Sequence, residues 1–344
     1  MCGIVGYIGL RSALPIVLDG LKRLEYRGYD SAGVALLTHE GLTVVKRVGK
    51  IARLQEALGA VTLDVPLAIG HTRWATHGEP DERNAHPHTD CSAEIAVIHN
   101  GIIENYAVLK RKLLDTGHRF RSATDTEVLA HLVEEFYGRG ASLEQAVRRT
   151  LTQLKGTYGV VVISQREPDK LVAARNGSPL VIGVGDHEHI VASDASAIVA
   201  HTRRVLYLED GEMAVVTRDS VSTTTLADVP VEKFVEELTL DLQEIERGTY
   251  EHFMLKEIHE QPETIQNAMR GRIVDGTEVK LGGLEHVRDK LVNARRIVLL
   301  GCGTSWHAAL VGEYLIEQIA GVQAEVEYAS EETVPWSHIQ PCHP

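Results

Sequence analysis

The sequence has few cysteines, few aromatic residues and no surplus of positive charge. Its four cysteines, Cys2, Cys91, Cys302 and Cys342, lie far apart and form no CxxC pair, which removes the usual signature of a zinc site or a dithiol redox couple. They read as reduced thiols of a cytoplasmic protein. Lys and Arg total 35 against 48 Asp and Glu, a formal net charge of −13. An acidic chain repels phosphate backbones and anionic membrane surfaces, so nucleic acid is not an expected partner. No apolar run approaches membrane-spanning length, and the opening MCGIVGYIGL is followed by Arg11 and Asp19, which break it as a secretory signal. Internal repeats and low-complexity segments are lacking too. What is present is 344 residues, 44% of them hydrophobic, enough for about two domains with cores of their own.

The chain opens with a short apolar strand, Gly3 to Gly9, followed by Leu14, Val17, Leu18, Leu21 and Leu24 at helical spacing. Ala32 to Thr38 and Leu42 to Val48 read as two more strands, and Ile51, Leu54 and Leu58 fall on one face of a short helix. Leu67 to His71 and Glu94 to His99 read as strands running into polar, glycine-containing segments, where chemistry tends to collect. Capping-box patterns mark two helix starts: Thr124, Asp125 and Glu127 before Val128, and Ser142 with Gln145 before Ala146. From Thr157 to Thr217 short β-rich runs alternate with turns, which predicts one antiparallel sheet with a hairpin at Glu209-Asp210-Gly211.

This order implies a layered α+β domain over residues 1–228, with strands as the inner layers. Residues 229–283 read as a charge-rich, mostly helical connector. Residues 284–344 read as the start of a doubly wound α/β domain. There we expect a helix from Leu284 to Ala294, a buried-type strand from Arg296 to Leu300, a helix opened by GCGTSWHA and a strand from Gln323 to Tyr328.

Cys2 is the first residue with chemical promise. Methionine is readily removed before a small side chain, leaving a thiol and a free α-amine on one residue. An amine with a pKa of about 7.7–8.0 can act as the thiol's own base at neutral pH. A buried, inert core cysteine is the alternative. The run His71-Thr72-Arg73-Trp74-Ala75-Thr76-His77-Gly78 gathers a guanidinium, an indole, a hydroxyl and an imidazole at a strand end, a density of polar groups costly to bury without a ligand. Arg73 suits bidentate capture of a carboxylate, with Thr76 and His77 orienting the rest of a small polar substrate; an ordinary surface ion pair is the alternative. His99-Asn100-Gly101 reads either as a turn or as an oxyanion hole built from the Asn100 amide and the Gly101 N–H. Asp125 either caps its helix or holds a substrate ammonium. His71, His77, His86, His88 and His99 show no recognised ligand spacing, so no metal is expected. Gly303, Thr304 and Ser305, between strand and helix, suit a sugar phosphate better than a dinucleotide, whose third fingerprint glycine is replaced by Trp306; the alternative is that Thr304 and Ser305 simply cap the helix.

Several of these segments fall together in one pattern. Met-Cys-Gly-Ile at the start, RLEYRGYDSAG at Arg23 to Gly33, HTRWATHG at His71 to Gly78, HNGIIENY at His99 to Tyr106 and SATDTE at Ser122 to Glu127, with EHFMLKEIHEQP at Glu251 to Pro262 and the GCGTSWHA loop, closely resemble the glutamine–fructose-6-phosphate aminotransferase (isomerizing) family, the glucosamine-6-phosphate synthases. The resemblance implies a four-layer αββα N-terminal-nucleophile hydrolase domain that releases ammonia from glutamine, without a cofactor. It assigns Cys2 as nucleophile, its α-amine as base, Asn100 and Gly101 as the oxyanion hole, Arg73 to the glutamine α-carboxylate and Asp125 to its α-amino group. Thr76 and His77 would line the pocket, Trp74 would form part of an ammonia gate, and Arg27 would help order the site when sugar is present. For the second domain it implies a sugar-isomerase fold with Gly303, Thr304 and Ser305 at the sugar phosphate. The pattern fades after Glu331, so the expectation is a truncated isomerase domain that binds fructose 6-phosphate weakly or not at all, a chain that acts as a glutaminase, and a homodimer as one assembly. Two alternatives stand beside it: another amidotransferase with an N-terminal cysteine, such as amidophosphoribosyltransferase or asparagine synthetase, and a non-catalytic remnant.

Overall fold

The computed structural model describes residues 2–59, 65–74, 79–238, 250–269, 272–274, 278–279, 284 and 287–329. The chain divides into two compact units, residues 1–249 and 250–344.

The first unit begins with β1 (Gly3–Gly9), α1 (Ala13–Arg23), β2 (Ser31–Thr38), β3 (Gly41–Val48), α2 (Ile51–Leu58) and β4 (Leu67–Arg73). There follow β5 (His88–Thr89), β6 (Ile95–Ile103), α3 (Tyr106–Asp115), α4 (Glu127–Gly138) and α5 (Leu143–Leu151). It continues with β7 (Gly156–Ser164), β8 (Lys170–Asn176), β9 (Val181–Val184), β10 (Glu188–Ala192), β11 (Arg204–Tyr207), β12 (Glu212–Thr217), β13 (Val221–Thr225) and β14 (Glu236–Glu237). These strands form an eight-stranded sheet, ordered β14-β11-β9-β10-β1-β4-β2-β3, and a six-stranded sheet, ordered β13-β12-β8-β7-β6-β5.

Strand alternation explains the layering. In β1, Val5 and Tyr7 join a core with Leu14, Val17 and Leu21 of α1 and Leu54 of α2, while Ile4 and Ile8 turn to the opposite face and meet Ile98 and Val161 of the second sheet. In β7, Val161 and Ile163 face that inter-sheet core, and Val160 and Val162 face Leu129, Val133 and Val147 of α4 and α5. Side chains of period two can serve two cores at once only if both faces of the sheet are covered. The result is the expected four-layer αββα arrangement of helices, two sheets and helices.

Several local expectations are corrected. The strands between Thr157 and Thr217 do not make one sheet: β9, β10 and β11 belong to the first and β7, β8 and β12 to the second. Glu209-Asp210-Gly211 is accordingly no hairpin but the crossing from one sheet to the other. Its turn chemistry holds, with Glu212 N donating to Glu209 O over 3.1 Å. Helix α3 was not anticipated from the sequence, which gives it only Leu109 and Leu113 as buried anchors. Helix α4 starts at Glu127 with Thr126 at its N-cap and no side-chain cap. The Glu127 carboxylate instead accepts from the N–H groups of Arg121 and Ser122, at 2.7 and 2.6 Å. One strand of this unit lies beyond Asp228, β14, which pairs with β11, and Leu238 is buried in the α1 core.

The second unit contains α6 (Phe253–Met269), β15 (Ile273–Val274), β16 (Glu278–Val279), α7 (Arg288–Val292), β17 (Arg296–Gly301), α8 (Thr304–Leu315) and β18 (Gln323–Tyr328). Pro262 lies inside α6. Helix α7 is shorter than Leu284 to Ala294. β17 and β18 pair in parallel, with Arg296 opposite Gln323 and Gly301 opposite Tyr328. Strand β17 is half-buried rather than enclosed, with Leu300 58% exposed. No helix among the described residues is long and apolar enough to cross a membrane.

Candidate active site

The pairing of β1 with β4 sets Gly3 opposite Thr72, which brings the residue before β1 to the end of β4. Cys2 therefore meets Trp74 through the backbone: Trp74 N donates to Cys2 Sγ over 3.2 Å. Thr72 Oγ1 accepts from Gly3 N at 3.1 Å and Ser193 Oγ from Ile4 N at 3.0 Å, so the start of the chain is held on both sides. From the second sheet, Asn100 Nδ2 donates to Cys2 O at 3.0 Å. The two sheets thus meet at the cysteine.

Cys2, Arg73, Trp74, His86, His99, Gly101, Thr124, Asp125 and Thr126 line one pocket. Burial raises the Cys2 thiol above its ordinary pKa; the Trp74 N–H and Arg73 pull the other way by favouring the thiolate. Arg73 is buried at the end of β4. Burial lowers its pKa, against the charges of Cys2, Asp125 and Asp30, and a guanidinium stays charged nonetheless. Asp125 is buried too, and its Oδ2 accepts from Ile103 N at 2.8 Å. It is therefore tied to β6, not used as a helix cap. A cation and an anion thus flank one thiol in one pocket, the requirement for holding an amino acid by both ends.

Asn100 and Gly101 are not a turn. They lie inside β6, opposite Gly159 and Tyr158 of β7. Gly101 has φ +136°, and a Cβ there would strike the Thr157 carbonyl, so only glycine fits. His71 fixes which way the Asn100 amide points. Its Nε2 faces two acceptors, Asn100 Oδ1 at 2.9 Å and His99 O at 3.1 Å, and so carries the proton. The Asn100 NH₂ is then directed at Cys2. His71 Nδ1 in turn lies 3.1 Å from His86 Nδ1, His86 packs edge-on to His88 with ring centroids 4.8 Å apart, and His88 Nε2 meets Thr124 Oγ1 at 3.0 Å. Burial keeps these rings neutral, lowering His71 to about 3 and His86, His88 and His99 below their ordinary value. The histidines set aside as metal ligands form a neutral buried network that reaches the pocket wall at His86 and His99, His77 lying outside the described residues.

Other sequence candidates are placed variously. The Trp74 indole is 46% exposed and meets the Tyr29 ring edge-on at 5.5 Å. Thr76 and His77 lie outside the described residues. Arg27 does not line the pocket; its Nη2 pairs with Asp194 Oδ2 at 2.6 Å. Its neighbour Gly28 approaches the Arg73–Trp74 backbone so closely that a Cβ would lie 2.8 Å from Arg73 C. In the second unit, Gly303 is the N-cap of α8 with φ +58°, and Gly303, Thr304 and Ser305 are exposed at its N-terminus. Thr124 and Thr126, both pocket-lining, were missed as site residues although they flank Asp125 in the SATDTE run.

A family described as a glutamine amidotransferase domain matches residues 71–200, and the SIS domain matches residues 290–344. A glutamine–fructose-6-phosphate aminotransferase (isomerizing) of Chlorobaculum tepidum is 55% identical over 337 residues, 96% of this chain and 55% of the relative. A Thermus thermophilus protein of the same name is 51% identical over 333 residues, 96% of this chain and 54% of the relative. Among solved structures, the allosteric regulatory enzyme of purine biosynthesis is 31% identical with TM-score 0.57, over 65% of this chain and 49% of that one. A glutamine phosphoribosylpyrophosphate amidotransferase from B. subtilis has TM-score 0.57 over 99% of this chain and 69% of that one, and at 23% identity shows a shared fold.

Proposed function

We propose that this chain, a homologue of the glutamine–fructose-6-phosphate aminotransferases that spans about half the length of the curated relatives it matches, hydrolyses glutamine to glutamate and ammonia at Cys2. The observation that carries the reading is the convergence of a thiol, a buried Arg73 and a buried Asp125 in one pocket. In this reading removal of Met1 frees the Cys2 α-amine. The amine takes the thiol proton, and Sγ attacks the side-chain carbonyl carbon of glutamine. Negative charge gathers on the carbonyl oxygen, where the Asn100 amide and the Gly101 N–H stabilise it. The proton passes to the departing nitrogen, ammonia leaves, and water hydrolyses the thioester to glutamate. Arg73 holds the α-carboxylate and Asp125 the α-ammonium, with Thr76 and His77 completing the pocket and Trp74 acting in the gate for ammonia. Arg27 acts indirectly, through the Gly28 contact with the Arg73–Trp74 backbone.

In the second unit, Gly303, Thr304 and Ser305 would offer backbone N–H groups and hydroxyls to the phosphate of fructose 6-phosphate, which this chain binds weakly or not at all, so glutamine hydrolysis is the reaction expected of it. The reading takes residues 1–228 as the glutaminase segment, 229–283 as connector and 284–344 as isomerase segment, in a cytoplasmic homodimer. A glutamine analogue with an electrophilic side chain should label Cys2 alone among the four cysteines, and Cys2→Ala should reduce glutamine hydrolysis to background. Labelling spread evenly over Cys2, Cys91, Cys302 and Cys342, or hydrolysis that survives Cys2→Ala, would overturn the assignment.

A further inference from the structure

Cys91, His118, His131 and Glu134 take no part in the hydrolysis proposed above. Cys91 lies in the turn between β5 and β6, His118 follows α3, and His131 and Glu134 stand three residues apart on one face of α4. One ligating atom from each lies within 4.8 Å of all the others. Cys91 Sγ is 3.8 Å from His118 Nδ1 and 3.7 Å from His131 Nδ1. Each of those nitrogens is 2.9 Å from Glu134 Oε2. Around a tetrahedral zinc ion, with Zn–S about 2.3 Å and Zn–N or Zn–O about 2.0–2.1 Å, sulfur and nitrogen sit about 3.6 Å apart and nitrogen and oxygen about 3.3 Å apart. The sulfur–nitrogen separations already match, and the carboxylate needs to withdraw from the two nitrogens by a few tenths of an ångström.

We propose that Cys91, His118, His131 and Glu134 bind one zinc ion in a structural site that ties the β5–β6 turn and the segment after α3 to α4. One thiolate and one carboxylate balance the charge of the ion, and the mixed sulfur, nitrogen and oxygen set suits zinc better than magnesium or calcium. The surroundings fit a ligand role. Arg119 N donates to Cys91 Sγ over 3.4 Å, a backbone contact that supports a thiolate. Coordination through His131 Nδ1 places that ring's proton on Nε2, which is buried and has no hydrogen-bond partner, with Glu127 Oε1 3.7 Å away. A carboxylate behind a ligating imidazole is the usual means of holding it. Phe120 closes one side, its ring centroid 4.5 Å from that of His131.

The competing description is a metal-free hydrogen-bonded cluster in which Glu134 Oε2 accepts from both Nδ1–H groups and from Cys91 N, at 3.2 Å. The two differ in whether the Cys91 thiol ionises and joins a metal. The untagged full chain, stripped with a chelator, should take up one equivalent of zinc. With cobalt(II) it should develop a thiolate-to-cobalt charge-transfer band and the intense visible bands of tetrahedral coordination. Cys91→Ser should remove the charge-transfer band, and Glu134→Gln should weaken zinc binding by about tenfold or more. Cys2→Ser should leave the spectrum intact, which separates this site from the nucleophile. If Cys91→Ser does not fold, His118→Gln serves instead and should abolish the tetrahedral spectrum. No stoichiometric uptake, an octahedral spectrum, or a charge-transfer band lost with Cys2 rather than Cys91 would overturn the proposal.

Discussion

The two units treat their apolar side chains differently. In the first, both faces of each inner sheet are covered, and residues as different in position as Tyr7, Leu36 and Ile98 are fully buried. In the second, the parallel pair β17–β18 leaves Leu300 58% exposed, and Val311 and Tyr314 of α8 are exposed too. The difference decides what kind of chemistry each can hold. A covered scaffold fixes side chains from β1, β4, β6 and the start of α4 around one thiol, whereas the second unit offers a backbone loop at a helix N-terminus, whose chemistry depends little on distant packing.

Acid should separate the units most strongly. The neutral buried rings of His71, His86, His88 and His99 all belong to the first unit, while His252, His259 and His307 of the second are exposed. On unfolding, a buried ring regains an ordinary pKa of about 6.5. Below that pH the unfolded chain binds protons that the folded chain refuses. The contribution is therefore complete above about pH 6.5 and is lost on acidification; for His71 the loss continues down to about 3. Denaturant melts of the first unit at successive pH values between neutrality and pH 5 should show this slope, and a flat profile would contradict the neutral network. Core truncation comes next. Leu21→Ala, at a fully buried site, should cost about 2–5 kcal/mol of stability, while Leu300→Ala should stay within about 0.5 kcal/mol. Equal costs in thermal melts would erase the contrast.

Within the pocket the effects are smaller but more specific. Asn100→Ala should lower kcat for glutamine hydrolysis by about 10²–10³-fold with little change in KM, the pattern of a donor used mainly in the transition state. A change confined to KM would remove Asn100 from the oxyanion hole. Arg73→Ala and Asp125→Ala should each raise KM by roughly 10–150-fold, the loss of a charge-assisted contact of about 1.5–3 kcal/mol. Steady-state kinetics unchanged in both variants would return the two residues to structural roles.

Much of this was legible in the sequence because period and polarity coincide there. The short apolar run of β1 and the helical spacing of α1 give strand and helix at once, and Cys2, Arg73 and Asp125 stand out because such groups are costly to enclose. The misreadings share a cause: turn chemistry is local, but its consequence is not. Glu209-Asp210-Gly211 marks a turn without saying which sheet receives the next strand. Asn100-Gly101 has the composition of a turn, yet β7 holds it in a ladder. Cys91, His118, His131 and Glu134 escaped notice because only the last two share an element, and the folding of β5, α3 and α4 is what gathers them.

The hydrogen bonds of Asn100 also bear on how the protein ages. An asparagine followed by glycine is the sequence most prone to lose its amide, because the glycine nitrogen can swing onto the side-chain carbonyl and close a succinimide ring. Here His71 holds Oδ1 and Cys2 O holds Nδ2, while β6 fixes the backbone between them. Ring closure must wait until the strand opens. Deamidation at Asn100 should therefore be slow in the folded chain and rapid in the unfolded one, and peptide mapping of stored native and denatured samples would read that difference directly. The products, aspartate or the backbone-lengthened isoaspartate, lose the N–H that Asn100 donates to the Cys2 carbonyl, so chemical wear at this one residue would strike the pocket directly.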